Sequence, residues 1–144
     1  MKTKEHTDRL SLRAADEEDF SVISAFLQDS LVRLRDMTYL ENEEQFILVV
    51  KRVVREGNLK DEFGERQEDR AQTGLCFEGV RSVHLRGMSQ EERDRLLTFL
   101  TVAYLPGEIA LIFTEGIVIR LRGDNMICLL RDLDKSIGVD GKIV

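Results

Sequence analysis

Between residues 101 and 122, three apolar-rich runs are separated by turns too short to hold a crossover helix. Residues 101–105 read as a strand ending at Pro106-Gly107. Residues 109–113 read as a second, turned at Glu115-Gly116, and residues 117–121 as a third, closed by Gly123-Asp124-Asn125. Parallel neighbours need long connections, so these strands can only form an antiparallel meander. The same grammar runs through the chain. Residues 31–40 and 45–55 look like long strands joined by the polar loop Glu41-Asn42-Glu43-Glu44, and should pair as a hairpin. Residues 46–50 are apolar on both faces, which suggests a strand covered on each side. Residues 75–77 and 80–85 supply further strand, turned at Gly79 and ended by Gly87. Leu10 and Leu12 alternate with Ser11 and Arg13 as a short first strand.

Helical signals are fewer. Asp16 offers an N-cap, Glu17, Glu18 and Asp19 put negative charge on the first turn, and Phe20, Ile23 and Leu27 follow at helical spacing. A helix is predicted over 17–28, against a rival strand on Val22, Ser24 and Phe26. Ser89-Gln90-Glu91-Glu92 is a capping box, and Leu96, Leu97 and Leu100 form a stripe behind it, which predicts a second helix over 90–99. Met126, Leu129, Leu130 and Leu133 predict a third over 126–137, although Met126, Cys128 and Leu130 also alternate as in a strand. The fold class is α+β: an antiparallel sheet of about seven strands, curved into a half-barrel or sandwich, with two or three short helices. The alternative is a pleckstrin-homology-like barrel with 126–137 as the plugging helix, an analogy of fold that assigns no function.

At 144 residues the chain suits one domain, over residues 10–137. A domain of this size buries about two thirds of its unfolded surface and needs neither disulfide nor metal to fold. Residues 1–9 are polar and expected to fray. Residues 57–73 are densely charged and expected to form a flexible loop. A hydrophobic share of 42% with 33% charged residues is a globular composition, and a net charge of −6 argues against a generic nucleic-acid or membrane binder. No signal-peptide h-region follows Met1, and no apolar run approaches the ~20 residues of a membrane span. A cytoplasmic location is therefore expected.

No residue constellation specifies a reaction. Cys76 and Cys128 sit inside apolar runs, the setting of small buried hydrophobes. With two histidines, His6 and His84, the chain lacks the three or four converging ligands of a zinc site. Cys76 and His84 could approach across a hairpin, but no orienting third group is indicated. Nucleophile-elbow, phosphate-loop and His-Glu-x-x-His motifs are absent. Glu17/Glu18 and Glu91/Glu92 fit solvated helix starts, and Arg122-Gly123-Asp124 fits a turn. No catalytic, cofactor-binding or metal-ligating residue is assigned, and no cofactor is implied.

Arginine is the one chemical bias: 15 Arg against 6 Lys. Strand residues two apart share a face, so Arg33/Arg35 and Arg120/Arg122 are paired planar forks suited to carboxylate or phosphate. The bland reading is an outer sheet face with Arg opposite Glu and Asp, which the acidic total favours. Arg33, Arg35, Arg52, Arg120 and Arg122 are thus the candidate anion- or partner-binding residues.

Several separated pieces carry a resemblance. They are Leu27-Gln28-Asp29, Asp36-Met37 with Tyr39-Leu40, Phe46 with Leu48, and Arg52. Phe77, Gly79, Val80 and Val83 follow, then Arg86-Gly87, Pro106-Gly107, Ile119-Arg120-Leu121 and Asp132-Leu133. In this order and spacing they resemble a family of small bacterial proteins, mostly alphaproteobacterial, of unknown function. The chain departs from that pattern in two places. Val53 and Arg55 stand where the family carries aromatics, and Lys135-Ser136-Ile137-Gly138 replaces a Pro-rich ending. The resemblance implies a small bacterial cytoplasmic protein and no activity, cofactor or catalytic residue. Three classes follow from the whole reading. A non-enzymatic interaction or adaptor module with a protein partner is favoured. An anion- or RNA-binding module using the strand arginines is second, with nucleic acid opposed by the net charge. An enzyme whose site escapes motif reading is third.

Overall fold

The computed structural model describes residues 10–54 and 69–133. They form one α-helix, α1 (Glu17–Leu27), and eight strands. These are β1 (Ser11–Ala14), β2 (Leu31–Arg33), β3 (Met37–Leu40), β4 (Gln45–Val54), β5 (Asp69–Arg86), β6 (Leu96–Leu105), β7 (Glu108–Phe113) and β8 (Val118–Asp132). Every pairing is antiparallel. The order β8-β5-β4-β2-β6-β7 closes on itself because β7 pairs back onto β8, while β1 adds to β8 and β3 to β4. The result is a closed six-stranded barrel with two extra strands and a helix, in place of the expected half-barrel or sandwich. Closure is possible because β8 is long: its first part lies between β5 and β7, its last part between β5 and β1.

The expected meander is β6-β7-β8, and the expected N-terminal helix is α1. Asp16 caps it by accepting from the Asp19 N–H at 2.9 Å. Phe20, Ile23 and Leu27 face the core, and Phe20 stacks on Tyr104 with ring centroids 4.6 Å apart. The helix also completes β6. The ladder to β7 shifts register between Phe99 and Thr101, and beyond that shift the Ser24 hydroxyl accepts from the Val102 N–H at 2.9 Å.

Two predicted helices are strands. The capping contacts at residue 89 do form: the Ser89 N–H donates to Glu92 Oε2 (2.9 Å) and the Glu91 N–H to Ser89 Oγ (3.1 Å). The Ser89 N–H, then Arg95, hold the Glu92 carboxyl below the usual carboxylate range. The chain nevertheless leaves this turn as β6, with Leu97 and Phe99 buried and Leu96 and Leu100 exposed. Pairing to β2 and β7 outweighs the marginal stability of a short helix. At 126–132 the alternation of Met126, Cys128 and Leu130 prevails over helical spacing, because β1 and β5 flank that stretch. The plugging helix of the pleckstrin-homology-like alternative is therefore absent over 126–132; residues 134–137 lie outside the described residues.

Other turn signals fall inside strands. Gly79 (φ +84°) lies in the first of two register shifts in β5, and Gly123-Asp124-Asn125 runs within β8. Residues 31–40 are one strand only in sequence; a 3₁₀ turn at Leu34–Asp36 splits them. In β4, Phe46, Leu48 and Val50 are buried, whereas Ile47 and Val49 on the outer face are only half-covered, so the strand is not covered on both sides. Of the expected flexible loop, residues 69–73 belong to β5; residues 57–68, like 1–9, lie outside the described residues.

Cys128 is fully buried, but Cys76 is half-covered on the outer face, and the two thiols point to opposite sides of adjacent strands. His84 is exposed on the same strand as Cys76, not across a hairpin, and the bend at Gly79 lies between them. Burial raises both thiols above their ordinary value of 9.0, Cys128 far the more. Both should label slowly with a thiol reagent in the absence of denaturant, Cys128 slowest. The folded chain holds these protons more tightly than the unfolded chain. The contribution of the thiols to stability is thus full below pH 9.0 and is lost as pH rises past it. Urea midpoints on either side of that value should show the fall, and Cys128→Ala should flatten it. Rapid labelling of the native protein would contradict this account. Among the described residues no helix is long and apolar enough to cross a membrane, and no cluster of three His, Cys, Asp or Glu is placed to hold a metal ion.

Candidate functional site

Among the described residues the barrel wall opens where β2 gives way to β3. Residues 31–33 of β2 pair with β6, the 3₁₀ turn then displaces the chain, and β3 resumes against β4 alone. On the other side the β4–β5 ladder ends at Gln45↔Glu78; beyond it, Val80–Arg86 pairs only with β8. At this end β3 and the second half of β5 therefore each keep one edge without a strand partner among the described residues, and they do not pair with each other. One end of the opening is pinned: the Tyr39 hydroxyl donates to the Val80 carbonyl (2.9 Å), and the Val80 N–H donates to the Glu44 carbonyl (2.9 Å). Partial burial, with Glu41 and Glu44 adding to it, raises the Tyr39 hydroxyl, which keeps it a donor. The loop 87–95 lies at the other end. It is tied down by the Arg35 N–H to the Arg93 carbonyl (3.0 Å) and by Arg33 Nε to the Asp94 carbonyl (2.9 Å).

Behind the opening is a pocket of about 220 Å³. Met37 and Tyr39 wall one side and Val83 and Leu85 the other; Phe46 and Ile119, both buried, lie deepest. Gln90 and Arg93, both exposed, form the rim. The loop's acids are mostly occupied: Asp94 pairs with Arg35 (2.8 Å) and Glu92 with Arg95 (3.1 Å). The Arg93 guanidinium has no carboxylate partner among the described residues, nor do exposed His84 and Arg86 on β5. This arrangement can hold an apolar group beside an anion.

The arginines singled out from sequence fall into three places. Arg33 and Arg35 do not share a strand face, because the 3₁₀ turn begins between them, yet both reach Asp94. Arg120 and Arg122 do share the outer face of β8, and Glu108 of β7 bridges both, at 3.2 and 3.3 Å. Strands β6 and β7 separate the two pairs, so they form no continuous face.

Arg52 is not on the surface at all. It is 1% exposed and bonds Asp132 through Nε (3.3 Å) and Nη2 (2.8 Å), under the Phe26 ring. Thr73 Oγ1 (2.7 Å) and the Leu10 N–H (3.1 Å) donate to the same carboxylate. Arg52 is a structural clamp joining β4, β5, β8 and the entry to β1, which corrects its place among the binding candidates. The signal was present in the alternation: positions 46, 48, 50 and 52 share one face, as do 126, 128, 130 and 132. A charge at inward parity on each strand, of opposite sign, calls for a buried pair. The opening between β3 and β5 had no such signal, because it depends on which edges meet.

Residues 10–142 match the family profile described as a protein of unknown function, DUF2948. The chain belongs to the DUF2948 family. No curated protein and no solved structure matches it. In this DUF2948 chain, pieces far apart in sequence that carried the resemblance meet in space: Arg52 with Asp132, and Tyr39 with Val80.

Proposed function

We propose that this protein is a non-enzymatic interaction or adaptor module of the bacterial cytoplasm, binding a protein partner at the opening between β3 and β5. The observation that supports this is a pair of strand edges, without a strand partner among the described residues, flanking an apolar pocket. Sheet edges template pairing with other chains, and proteins ordinarily cover or charge them. An affinity pull-down from the native bacterium, with and without nuclease, tests the reading. A protein retained after nuclease treatment is expected; recovery of nothing, or of nuclease-sensitive material alone, would sink it.

A second reading, an anion- or RNA-binding module, is favoured by one observation. Arg120 and Arg122 share a single carboxylate, which leaves a cation in excess beside His84, the cross-strand neighbour of Arg120. We expect weak or no RNA binding at physiological salt, because the chain is acidic overall. Replacing Arg33, Arg35, Arg120 and Arg122 by Ala should cost about 0–1 kcal/mol of stability per exposed bridge. A salt-sensitive complex of micromolar affinity, lost in that variant, would put this second reading first.

A further inference from the structure

We infer that the partner enters as an extended segment alternating apolar and acidic residues, added as a strand between β3 and β5. This rests on the interaction reading above and gives it a chemistry. Strand addition uses main-chain hydrogen bonds for affinity and alternate side chains for specificity. The opening has both requirements. Its flanks are the free edges of β3 and of the Val80–Arg86 half of β5. Side chains of an added strand would point alternately in and out. The inward ones would meet Met37, Tyr39, Val83 and Leu85, an apolar wall with room for one or two side chains. The outward ones would lie beside exposed His84 and Arg86, cross-strand neighbours that favour opposite charge. Arg93 at the rim, like Arg86, is a guanidinium without a carboxylate partner among the described residues. Of the acids in the loop 87–95, Asp94 pairs with Arg35, Glu92 shares Arg95 with Glu115, and Glu91 does not line the pocket. The guanidinium groups of Arg86 and Arg93 thus select acidic residues at the 87–95 end of the added strand, the end away from Glu41 and Glu44.

The test uses the full chain and short fluorescein-labelled synthetic peptides alternating Leu or Val with Glu. A counterpart carries Lys in place of Glu, and octanoate stands in for a small amphiphilic anion. Titration by fluorescence anisotropy should show the acidic peptide binding at least about tenfold tighter than the basic one. Hydrogen exchange should slow at amides in 37–40 and 82–86. The double variant Arg86→Glu/Arg93→Glu changes exposed side chains and should keep its circular dichroism spectrum. It should lose about tenfold in affinity for the acidic peptide and come to prefer the basic one. No protection of those amides by any peptide would overturn the proposal. So would octanoate filling the pocket while peptides fail, which would assign it to small anions. A nuclease-resistant cellular partner captured equally by the wild type and the double variant would also remove this opening, while leaving the interaction reading intact.

Discussion

Asp132→Ala is expected to destabilise the protein by about 3–5 kcal/mol, because it strands a buried guanidinium without its carboxylate. Arg52 and Asp132 are 2% and 5% exposed at the side chain, so water can replace little of the lost interaction. The same change orphans the Thr73 hydroxyl and the Leu10 N–H, which both donate to Asp132. A small domain commonly has about 5–15 kcal/mol in total, so urea denaturation should show a large fall in midpoint. Removing both charges separates pairing from burial. Arg52→Met with Asp132→Leu should recover much of the loss, since a buried pair replaced by apolar groups of similar volume is often neutral. Thr73→Val should cost only about 1 kcal/mol. A loss below about 1 kcal/mol for Asp132→Ala would mean that the site is hydrated in solution.

The bend where β5 crosses β8 should be the most sensitive backbone site. A Cβ on Gly123 would overlap the carbonyl oxygen of Gly79, and one on Gly79 would lie 2.6 Å from the Asp124 carbonyl oxygen. Gly79 also holds φ +84°, which side chains disfavour. Neither obstacle is a flexible side-chain tip, so the backbone itself must shift. Gly123→Ala and Gly79→Ala should each cost about 3 kcal/mol or more. Gly116 is the control: it too has positive φ (+74°), but a Cβ there meets nothing within 4 Å. Gly116→Ala should cost only about 1–2 kcal/mol, the penalty of the left-handed conformation alone. Equal losses at Gly116 and Gly123 in thermal or urea unfolding would refute the crowding at the crossing.

Local chemistry was legible in the residues themselves. Asp16 with Phe20, Ile23 and Leu27 specified α1, since a cap and a 3.6-residue period lie within the segment that uses them. The turns at Pro106-Gly107 and Glu115-Gly116 specified the β6-β7-β8 meander in the same way. Inward parity at Arg52 and Asp132 was written in each strand's alternation. What each faced was not, because they stand 80 residues apart. Tertiary structure decided the rest. The capping box at Ser89 and the stripe at 126–133 lost to strand pairing, because β2 and β7 pair with the first segment and β1 and β5 with the second, and a short helix leaves its ends unpaired. Gly79 and Gly123 ceased to be turns because each lies against the other strand. Closure of the barrel, and with it the gap between β3 and β5, followed from the length of β8 and from a 3₁₀ turn that parts β3 from β2. Those are properties of edges meeting across the fold, and an edge has no partner until the whole sheet is assembled.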